Sequence, residues 1–173
     1  MSVSFDGTEF KVLTLVYAYV DGRVLTLERG AHKAFLPGWF VAPGGKVEAE
    51  EDVVASGERE FFEETGLVLK GARLRGSYTF FTIEPTNRSG IIYLIVGDGV
   101  EGDFQAKVED GTLHWLTVEE LLASGKVMDD HKVWIREIFS NPSHFACVGS
   151  WKEGAVAAEW ADSRGYFAGR KVA

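Results

Sequence analysis

The segment of residues 45–67, GKVEAEEDVVASGEREFFEETGL, constrains the fold and the chemistry of this chain more than any other. If it is helical, Glu60, Glu63 and Glu64 stand at i, i+3 and i+4, and their carboxylates share one face. Like charges at this spacing repel and destabilise an isolated helix by about 0.2–0.5 kcal/mol per pair. A bound hard cation such as Mg²⁺ or Mn²⁺ would offset that repulsion, because these ions prefer oxygen ligands. An acidic run by itself is more typical of a solvated helix face.

The residues around the acidic run predict a helix over residues 52–65. The turn signal PGG at residues 43–45 precedes it, and Gly66 suits the left-handed residue that often follows a helix. Gly57 lies inside the predicted helix, where glycine costs up to about 1 kcal/mol relative to alanine. We therefore expect another element to pack closely against the helix at Gly57.

The spacing of this segment matches a known family motif at every defined position. Gly45 is followed after five residues by Glu51, and after seven more by the run REFFEETGL at residues 59–67. This pattern resembles the Nudix box, and a looser likeness extends over about residues 13–139. The resemblance implies an α/β fold, a Nudix-type α/β/α sandwich with a mixed, partly antiparallel sheet. It also implies metal-dependent hydrolysis of a nucleoside diphosphate linked to another moiety.

The resemblance implies a metal site on the predicted helix. Glu60, Glu63 and Glu64 are the implied carboxylate ligands of Mg²⁺, with Mn²⁺ as a substitute. The backbone carbonyl of Gly45 is the implied fourth protein ligand. Such a metal would neutralise the pyrophosphate, acidify a bound water and align it with phosphorus.

The carboxylate that accepts the proton of the attacking water has several candidates. Glu63 and Glu64 are within the box, although metal ligation would lower their basicity. The loop acids Glu109 and Asp110 are alternatives, because related enzymes often draw a further ligand or base from the loop before the corresponding strand.

Three basic residues are candidates for binding phosphate. Arg59 could contact phosphate, but the resemblance favours an ion pair that orients the glutamates, with Glu51 as its partner; arginine matches a carboxylate bidentately. Arg29 ends the second predicted strand, where related enzymes often place a phosphate-contacting arginine. Lys46 directly follows the glycines. Solvation at the surface is the alternative for Arg29 and Lys46.

Residues on either side of the box are candidates for contacting the nucleobase of the substrate. GWFVAPGGKVE resembles MutT-like enzymes that hydrolyse nucleoside triphosphates, including oxidised purine nucleotides, and MDDHKVWIREIF resembles the terminal helix of the oxidised-purine branch. Phe40 is a candidate for stacking on a base, with core packing as the alternative. Val41 aligns where relatives place a polar side chain against the base, and it cannot make that hydrogen bond. Glu109 and Asp110 match the paired acids that read the base in that branch.

The predicted function is therefore hydrolysis of the pyrophosphate linkage of a nucleoside diphosphate derivative, with a (d)NTP, ordinary or oxidised, as the favoured substrate. An ADP-sugar or dinucleotide pyrophosphatase is an alternative enzyme. A non-catalytic Nudix-fold module that binds a nucleotide for regulation is a third interpretation. The intact box favours an enzyme, because binding modules often lose box acids.

Composition limits the partners and the compartment. The 173 residues are 46% apolar and carry a net charge of −8, which suits one compact domain and argues against a nucleic-acid polymer or an acidic membrane as partner. Cys147 is the only cysteine, so an internal disulfide is excluded. The sequence shows no leader pattern and no apolar run of about 18 residues. We expect a cytoplasmic protein that is a monomer or a homodimer.

The resemblance implies a Nudix hydrolase domain over residues 10–141. We expect the C-terminal extension over residues 142–173 to pack on the same domain. Asp21 and Gly22 predict a hairpin turn between the first two strands of the domain. Towards the C-terminus the pattern predicts a helix near residues 130–140, a strand near residues 145–148 and a short helix near residues 156–160.

Overall fold

A computed structural model describes residues 2–5, 8–82, 89–140, 144–152, 155–162 and 167–170. Its centre is a mixed β-sheet with helices packed against both faces. The predicted α/β class and the mixed, partly antiparallel sheet are confirmed. None of the helices in the described part of the chain is long and apolar enough to cross a membrane.

The described residues contain thirteen strands and four helices. The strands are β1 (Ser2–Phe5), β2 (Thr8–Val20), β3 (Arg23–Arg29), β4 (Phe40–Val41), β5 (Val68–Lys70), β6 (Arg73–Thr82), β7 (Ser89–Gly97), β8 (Gly99–Glu101), β9 (Lys107–Val108), β10 (Gly111–Leu116), β11 (Phe145–Lys152), β12 (Ala155–Asp162) and β13 (Phe167–Arg170). The helices are α1 (Val53–Thr65), α2 (Val118–Ala123), α3 (Asp129–Trp134) and α4 (Glu137–Ser140).

The main sheet has the strand order β13-β12-β11-β6-β7-β2-β3-β10-β9, with β1 paired to β2 and β4 paired to β3. β2 pairs with β7 and β6 pairs with β11 in parallel, whereas the other neighbours in this sheet are antiparallel. β5 and β8 form a separate two-stranded sheet. The predicted turn at Asp21 and Gly22 joins β2 to β3, with positive φ values of 50° and 77° that suit a hairpin.

Helix α1 begins and ends where local sequence signals place its ends. The Asp52 carboxylate accepts hydrogen bonds from the Val54 and Ala55 N–H groups at 2.9 and 3.2 Å. Gly66 adopts φ 71°, and its N–H donates to the Phe62 carbonyl at 2.8 Å. Both ends are thus capped by backbone-directed hydrogen bonds. The helix predicted over residues 52–65 is confirmed, with Asp52 as the cap rather than the first helical residue.

Alternation along the central strands builds one core on each face of the sheet. Val16 and Ile95 are buried in the core beneath α1, together with Phe61 of that helix. Tyr17 and Leu94, each next to one of these in its strand, are buried in the other core. That core also contains Val118, Leu121, Trp134 and Ile138 from the short helices and Ile135, which directly follows α3. Successive side chains of a strand point to opposite faces, so the middle of each of these two parallel strands, with both faces covered, is mostly apolar.

Two predicted helices near the C-terminus are corrected. The helix predicted near residues 130–140 is divided into α3 and α4. The helix predicted near residues 156–160 is wrong, because this segment is part of β12, which pairs with β11 from Phe145↔Asp162 to Lys152↔Ala155. Its alanine-rich composition favours a helix locally, but the open edge of β11 offers a full ladder of backbone hydrogen bonds. The strand predicted near residues 145–148 is β11, which joins the main sheet through β6.

The close approach expected at Gly57 is present. A Cβ atom at Gly57 would collide with Ile95 Cδ1 of β7 and lie 3.1 Å from Val16 Cγ2 of β2. The missing side chain therefore lets α1 lie directly on the two central parallel strands. This contact sets the height of α1, and of its acidic face, above the sheet.

A Gly57→Val variant should lower the free energy of unfolding by about 1–3 kcal/mol, because it overpacks the contact with β7 and β2. Urea denaturation measures this. The matched control is Ala55→Val on the exposed side of the same helix, where only helix propensity changes and the cost should stay below about 0.7 kcal/mol. Equal effects at the two positions would show that α1 is not seated on the sheet at Gly57.

Candidate active site

A cleft of about 590 Å³ lies between the C-terminal half of α1 and the turn that joins β9 to β10. Its lining includes three carboxylates from α1 and two from that turn: Glu60, Glu63, Glu64, Glu109 and Asp110. The two groups are far apart in the sequence and are brought together because β10 pairs with β3. The predicted metal-binding acids of α1 thus line one wall of the cleft, and the acids of the turn line the opposite wall.

The guanidinium of Arg59 connects the acids of the box. Its Nε and Nη2 donate to the two carboxylate oxygens of Glu51 at 2.9 and 3.0 Å. Its Nη1 donates to Glu60 at 3.0 Å and to Glu63 at 3.3 Å, and Nη2 also donates to the Lys46 carbonyl at 3.2 Å. The expected Arg59–Glu51 ion pair is therefore present, in the bidentate geometry that arginine favours.

This pairing shifts the titration of both partners. Hydrogen bonds from Arg59 are the main reason that the pKa of Glu51 falls from 4.5 to about 2. The pKa of Arg59 is raised above its ordinary value, chiefly by Glu51 and then by Glu60. Both groups stay charged at neutral pH, so the bridge between the helix and the preceding loop is maintained there.

Gly44 and Gly45, where the box begins, make room for the carboxylates. A Cβ atom at Gly45 would collide with the carboxylate of Glu60. Gly44 has φ 152°, its N–H donates to the Glu64 carboxylate at 3.0 Å, and a side chain there would collide with the Thr14 carbonyl. The Gly45 carbonyl accepts a hydrogen bond from Thr14 N at 2.8 Å, which leaves one of its two lone pairs.

The Glu64 side chain is half-buried and lines the cleft. Its pKa is raised, first by burial and further by the neighbouring charge of Glu60, while the Gly44 N–H, Arg29 and Lys33 act in the opposite direction. Glu63, by contrast, has a side chain that is 57% exposed. A buried carboxylate beside another carboxylate is stabilised by any cation that enters the cleft.

The three carboxylates share a face of α1 but do not converge on one point. Among the described residues, no group of three or more His, Cys, Asp or Glu side chains is already arranged to hold a metal ion. Glu60 and Glu63 are bound to Arg59, and Glu64 is bound to the Gly44 N–H. The donor set of carboxylate oxygens still fits a hard divalent cation, and the half-buried Glu64 is a carboxylate that such an ion would stabilise.

The two acids of the β9–β10 turn differ in their surroundings. Asp110 forms an ion pair with Lys33, and its backbone carbonyl accepts from Gly30 N at 2.8 Å. Glu109 is exposed, and within the described residues its side chain has neither an ion pair nor a hydrogen bond. Asp110 is therefore fixed in place, whereas Glu109 keeps its acceptor oxygens available.

Two basic candidates lie outside the lining of the cleft. Arg29 donates from Nε to the Phe35 carbonyl at 2.8 Å, so it holds the loop that follows β3. It is still close enough to Glu64 to lower that group's pKa electrostatically. The side chain of Lys46 is exposed, and its backbone carbonyl accepts from Arg59. The structure thus places Arg29 near the acids and Lys46 beside the box.

Phe40 and Val41, the candidates for base contact, also lie outside the cleft lining. Phe40 makes an edge contact with His114 at 5.5 Å between ring centroids, and the Lys126 ammonium lies 5.9 Å from its ring. Val41 packs against the core beneath α1, and its carbonyl accepts from Thr26 Oγ1 at 3.0 Å. Both belong to the short strand β4, which lies beside β3.

Sequence reasoning missed Lys33. It lies in the loop after β3, where no motif spacing marks it, and its partner Asp110 is distant in the chain. Only the pairing of β3 with β10 brings the two together. The only signal in the sequence was a lysine just after one strand and an acidic pair just before another. That signal has meaning only if the two strands are known to pair.

The family model described as NUDIX domain matches residues 11–138. The chain belongs to the Nudix family. The resemblance drawn from the box is thereby confirmed. Members of this family generally use divalent metal ions.

The Nudix relatives include YvcI of Bacillus subtilis, described as an uncharacterized Nudix hydrolase, which is 33% identical over 103 residues. The match covers 58% of this chain and 62% of YvcI, which is less than two thirds of that relative's length.

Solved structures with the same fold include a mutator MutT protein from Bacillus halodurans, with a TM-score of 0.74 and 21% identity over 87% of this chain and 97% of that one. Another is a bifunctional NMN adenylyltransferase/ADP ribose pyrophosphatase from Francisella tularensis, complexed with AMP and an Mn ion. It has a TM-score of 0.56 and 16% identity over 78% of this chain and 43% of that one. At these identities the likeness shows the Nudix fold alone.

The stability contributed by the Arg59–Glu51 pair should depend on pH. Because the folded-state pKa of Glu51 is about 2 and its ordinary value is 4.5, the contribution is complete above pH 4.5 and is lost as the pH falls towards 2. We expect wild type to be more stable than Glu51→Gln at neutral pH, and the difference in unfolding free energy to shrink over that window.

Urea denaturation of both proteins as a function of pH measures this difference. In an Arg59→Met background, the difference in unfolding free energy between proteins without and with the Glu51→Gln change should lose most of its pH dependence. The reason is that Arg59 is the main cause of the lowered Glu51 pKa. A pH dependence that is unchanged in that background would contradict the assignment to Arg59.

Proposed function

We propose that this Nudix protein is a hydrolase that cleaves the pyrophosphate linkage of a nucleoside diphosphate derivative with the help of Mg²⁺, and that a (d)NTP, ordinary or oxidised, is its substrate. The observation that carries this proposal is the meeting of Glu60, Glu63 and Glu64 with Glu109 and Asp110 in one cleft. The complex of a protein of the same fold with AMP and an Mn ion supports both the nucleotide and the divalent metal.

The residues that would hold the metal are Glu60, Glu63, Glu64 and the Gly45 carbonyl, with Mn²⁺ as a substitute for Mg²⁺. When bound, the ion supplies Lewis acidity, neutralises phosphate charge and acidifies a water. Arg59 limits the directions in which Glu60 and Glu63 can turn, because one of its nitrogens is bound to both. The Gly44 N–H orients Glu64 in the same way.

Glu109 is the residue we assign to accept the proton of the attacking water. It lines the cleft opposite α1, and its carboxylate is not engaged by other described side chains. Asp110 is less suited, because its carboxylate is paired with Lys33. Glu63 and Glu64 are less suited as proton acceptors if they bind the metal, since ligation lowers their basicity.

A second candidate function is an ADP-sugar or dinucleotide pyrophosphatase. It is favoured by the fold shared with the ADP ribose pyrophosphatase that was solved with AMP. If a base reaches β4, the apolar side chain of Val41 offers it no hydrogen bond, so we expect little preference among bases from this residue in either case. A regulatory module that binds nucleotide without turnover is the remaining alternative.

A panel of nucleotides separates these candidates. Release of phosphate and pyrophosphate would be measured from ordinary and oxidised (d)NTPs, NDPs, ADP-ribose, NADH and a diadenosine polyphosphate, with Mg²⁺ and with a chelator. Turnover of (d)NTPs that the chelator abolishes is the expected result. Turnover confined to ADP-ribose or the dinucleotides would favour the second candidate, and binding without turnover would favour the regulatory module.

Glu63→Gln should lower kcat on the best substrate of the panel by on the order of 10² or more, because it removes a carboxylate assigned to the metal. The exposed position of Glu63 makes loss of the fold an unexpected outcome, which circular dichroism checks. Glu58→Gln, at an exposed position of the same helix outside the cleft, is the matched control and should keep wild-type kcat. Full activity in a folded Glu63→Gln protein would remove that carboxylate from the mechanism.

A further inference from the structure

The loop after β3 and the turn before β10 are in direct contact. The pairing of β3 with β10 places Arg29 opposite Gly111, at the point where both strands meet these connections. The Gly30 N–H then donates to the Asp110 carbonyl at 2.8 Å. The acidic turn is thus fixed at its backbone to the first residue of the loop over residues 30–39, called the β3–β4 loop below.

The β3–β4 loop is folded back on its own starting point. The Arg29 side chain donates to the Phe35 carbonyl at 2.8 Å, and the Gly38 N–H donates to the Arg29 carbonyl at 2.8 Å. Lys33 N donates to the Gly30 carbonyl at 3.1 Å, which forms a tight turn at the start of the loop. These bonds define the backbone from which the Lys33 side chain extends.

The Lys33 side chain reaches from this loop to the carboxylate of Asp110, which lines the cleft. The two side chains are only 26% and 25% exposed, so the pair is partly shielded from solvent. Such a pair is screened less than one at the open surface. Lys33 is also near enough to Glu64 to influence it electrostatically. The lysine is therefore bound to the acidic turn and lies within electrostatic range of α1.

We propose that Lys33 is a positioning residue that acts through Asp110, holding the acidic turn in place so that Glu109 is fixed relative to the carboxylates of α1. The expected effect on kcat rests on the proposed hydrolytic function, whereas the contacts of Lys33 do not. A backbone bond and a side-chain bond together restrain Asp110 at two points. Glu109 is the adjacent residue, so its position follows from that of Asp110.

The positioning role differs from direct phosphate binding by Lys33. A lysine that binds phosphate would act on the substrate whether or not Asp110 has a charge. A lysine that acts through Asp110 has no further effect once the Asp110 carboxylate is gone. A double-mutant cycle separates the two cases, because it measures whether the effects of the two changes are independent.

The cycle consists of wild type, Lys33→Met, Asp110→Asn and the double variant, assayed with the best substrate of the nucleotide panel. Lys33→Met should lower kcat about tenfold with KM changed by less than about twofold, the size expected when a supporting contact of a reactive group is removed. The double variant should match Asp110→Asn alone. Lys33→Arg, which keeps the charge and a donor, should restore most of the lost kcat.

Lys70→Met is the matched control, because Lys70 also pairs with a carboxylate, Glu101, but on the separate sheet of β5 and β8. It should keep wild-type kcat and KM. An unchanged kcat in Lys33→Met would overturn the proposal. Direct phosphate binding would be favoured, and the proposal overturned, if Lys33→Met raised KM and lowered kcat/KM by the same factor in wild type and in the Asp110→Asn background.

Amide hydrogen exchange tests the same proposal without substrate. Exchange of residues 30–39 and of the turn at residues 109–110 should become faster in Lys33→Met and in Asp110→Asn. The double variant should exchange no faster than either single variant, since one contact is lost in all three. Unaltered exchange in Lys33→Met would show that the lysine does not hold the turn. If wild type hydrolyses nothing in the panel, the proposed function fails, and this exchange result still decides the role of Lys33.

Discussion

The site depends on the guanidinium of Arg59, which holds several carboxylates that would otherwise repel. Glu51 takes two of its nitrogens in a bidentate pair, and Glu60 and Glu63 share the third. Because the fork of an arginine is planar and its donors are fixed, these three side chains have few directions left to them. The same residue also binds the Lys46 carbonyl and so connects the helix to the glycine turn.

The position of this cluster is set by packing that is remote from it. Gly57 lets α1 rest on β2 and β7, and the Gly44 and Gly45 backbone lies against Thr14 of β2. The acids of the opposite wall come from the turn before β10, which the sheet places beside the loop after β3. The cleft is therefore formed between a helix that rests on the sheet and a turn between two of its strands. Hydrogen bonds hold Glu60, Glu63 and Glu64 on one wall, and the ion pair with Lys33 holds Asp110 on the other.

Local signals were sufficient for part of the fold and of the site. The ends of α1 and the turn at Asp21 and Gly22 follow from residues that are close in the chain. The Arg59–Glu51 pair was expected from the resemblance to the Nudix box. The strand β12 was predicted as a helix, because only its pairing with β11 overrides the composition. Lys33 was missed for a similar reason, since its partner Asp110 is brought to it by a strand pairing that no local pattern reveals.

The most direct test of the central claim is the location of Mn²⁺ in crystals of the wild-type protein, from its anomalous scattering. We expect a peak bounded by the carboxylates of Glu60, Glu63 and Glu64, in the cleft that Glu109 and Asp110 also line. In crystals of Glu63→Gln at the same Mn²⁺ concentration, the peak at this position should be absent or markedly smaller, because the metal has lost one carboxylate ligand. Mn²⁺ bound only elsewhere, or absent from a wild-type cleft at saturating concentration, would contradict the assignment of these carboxylates to the metal.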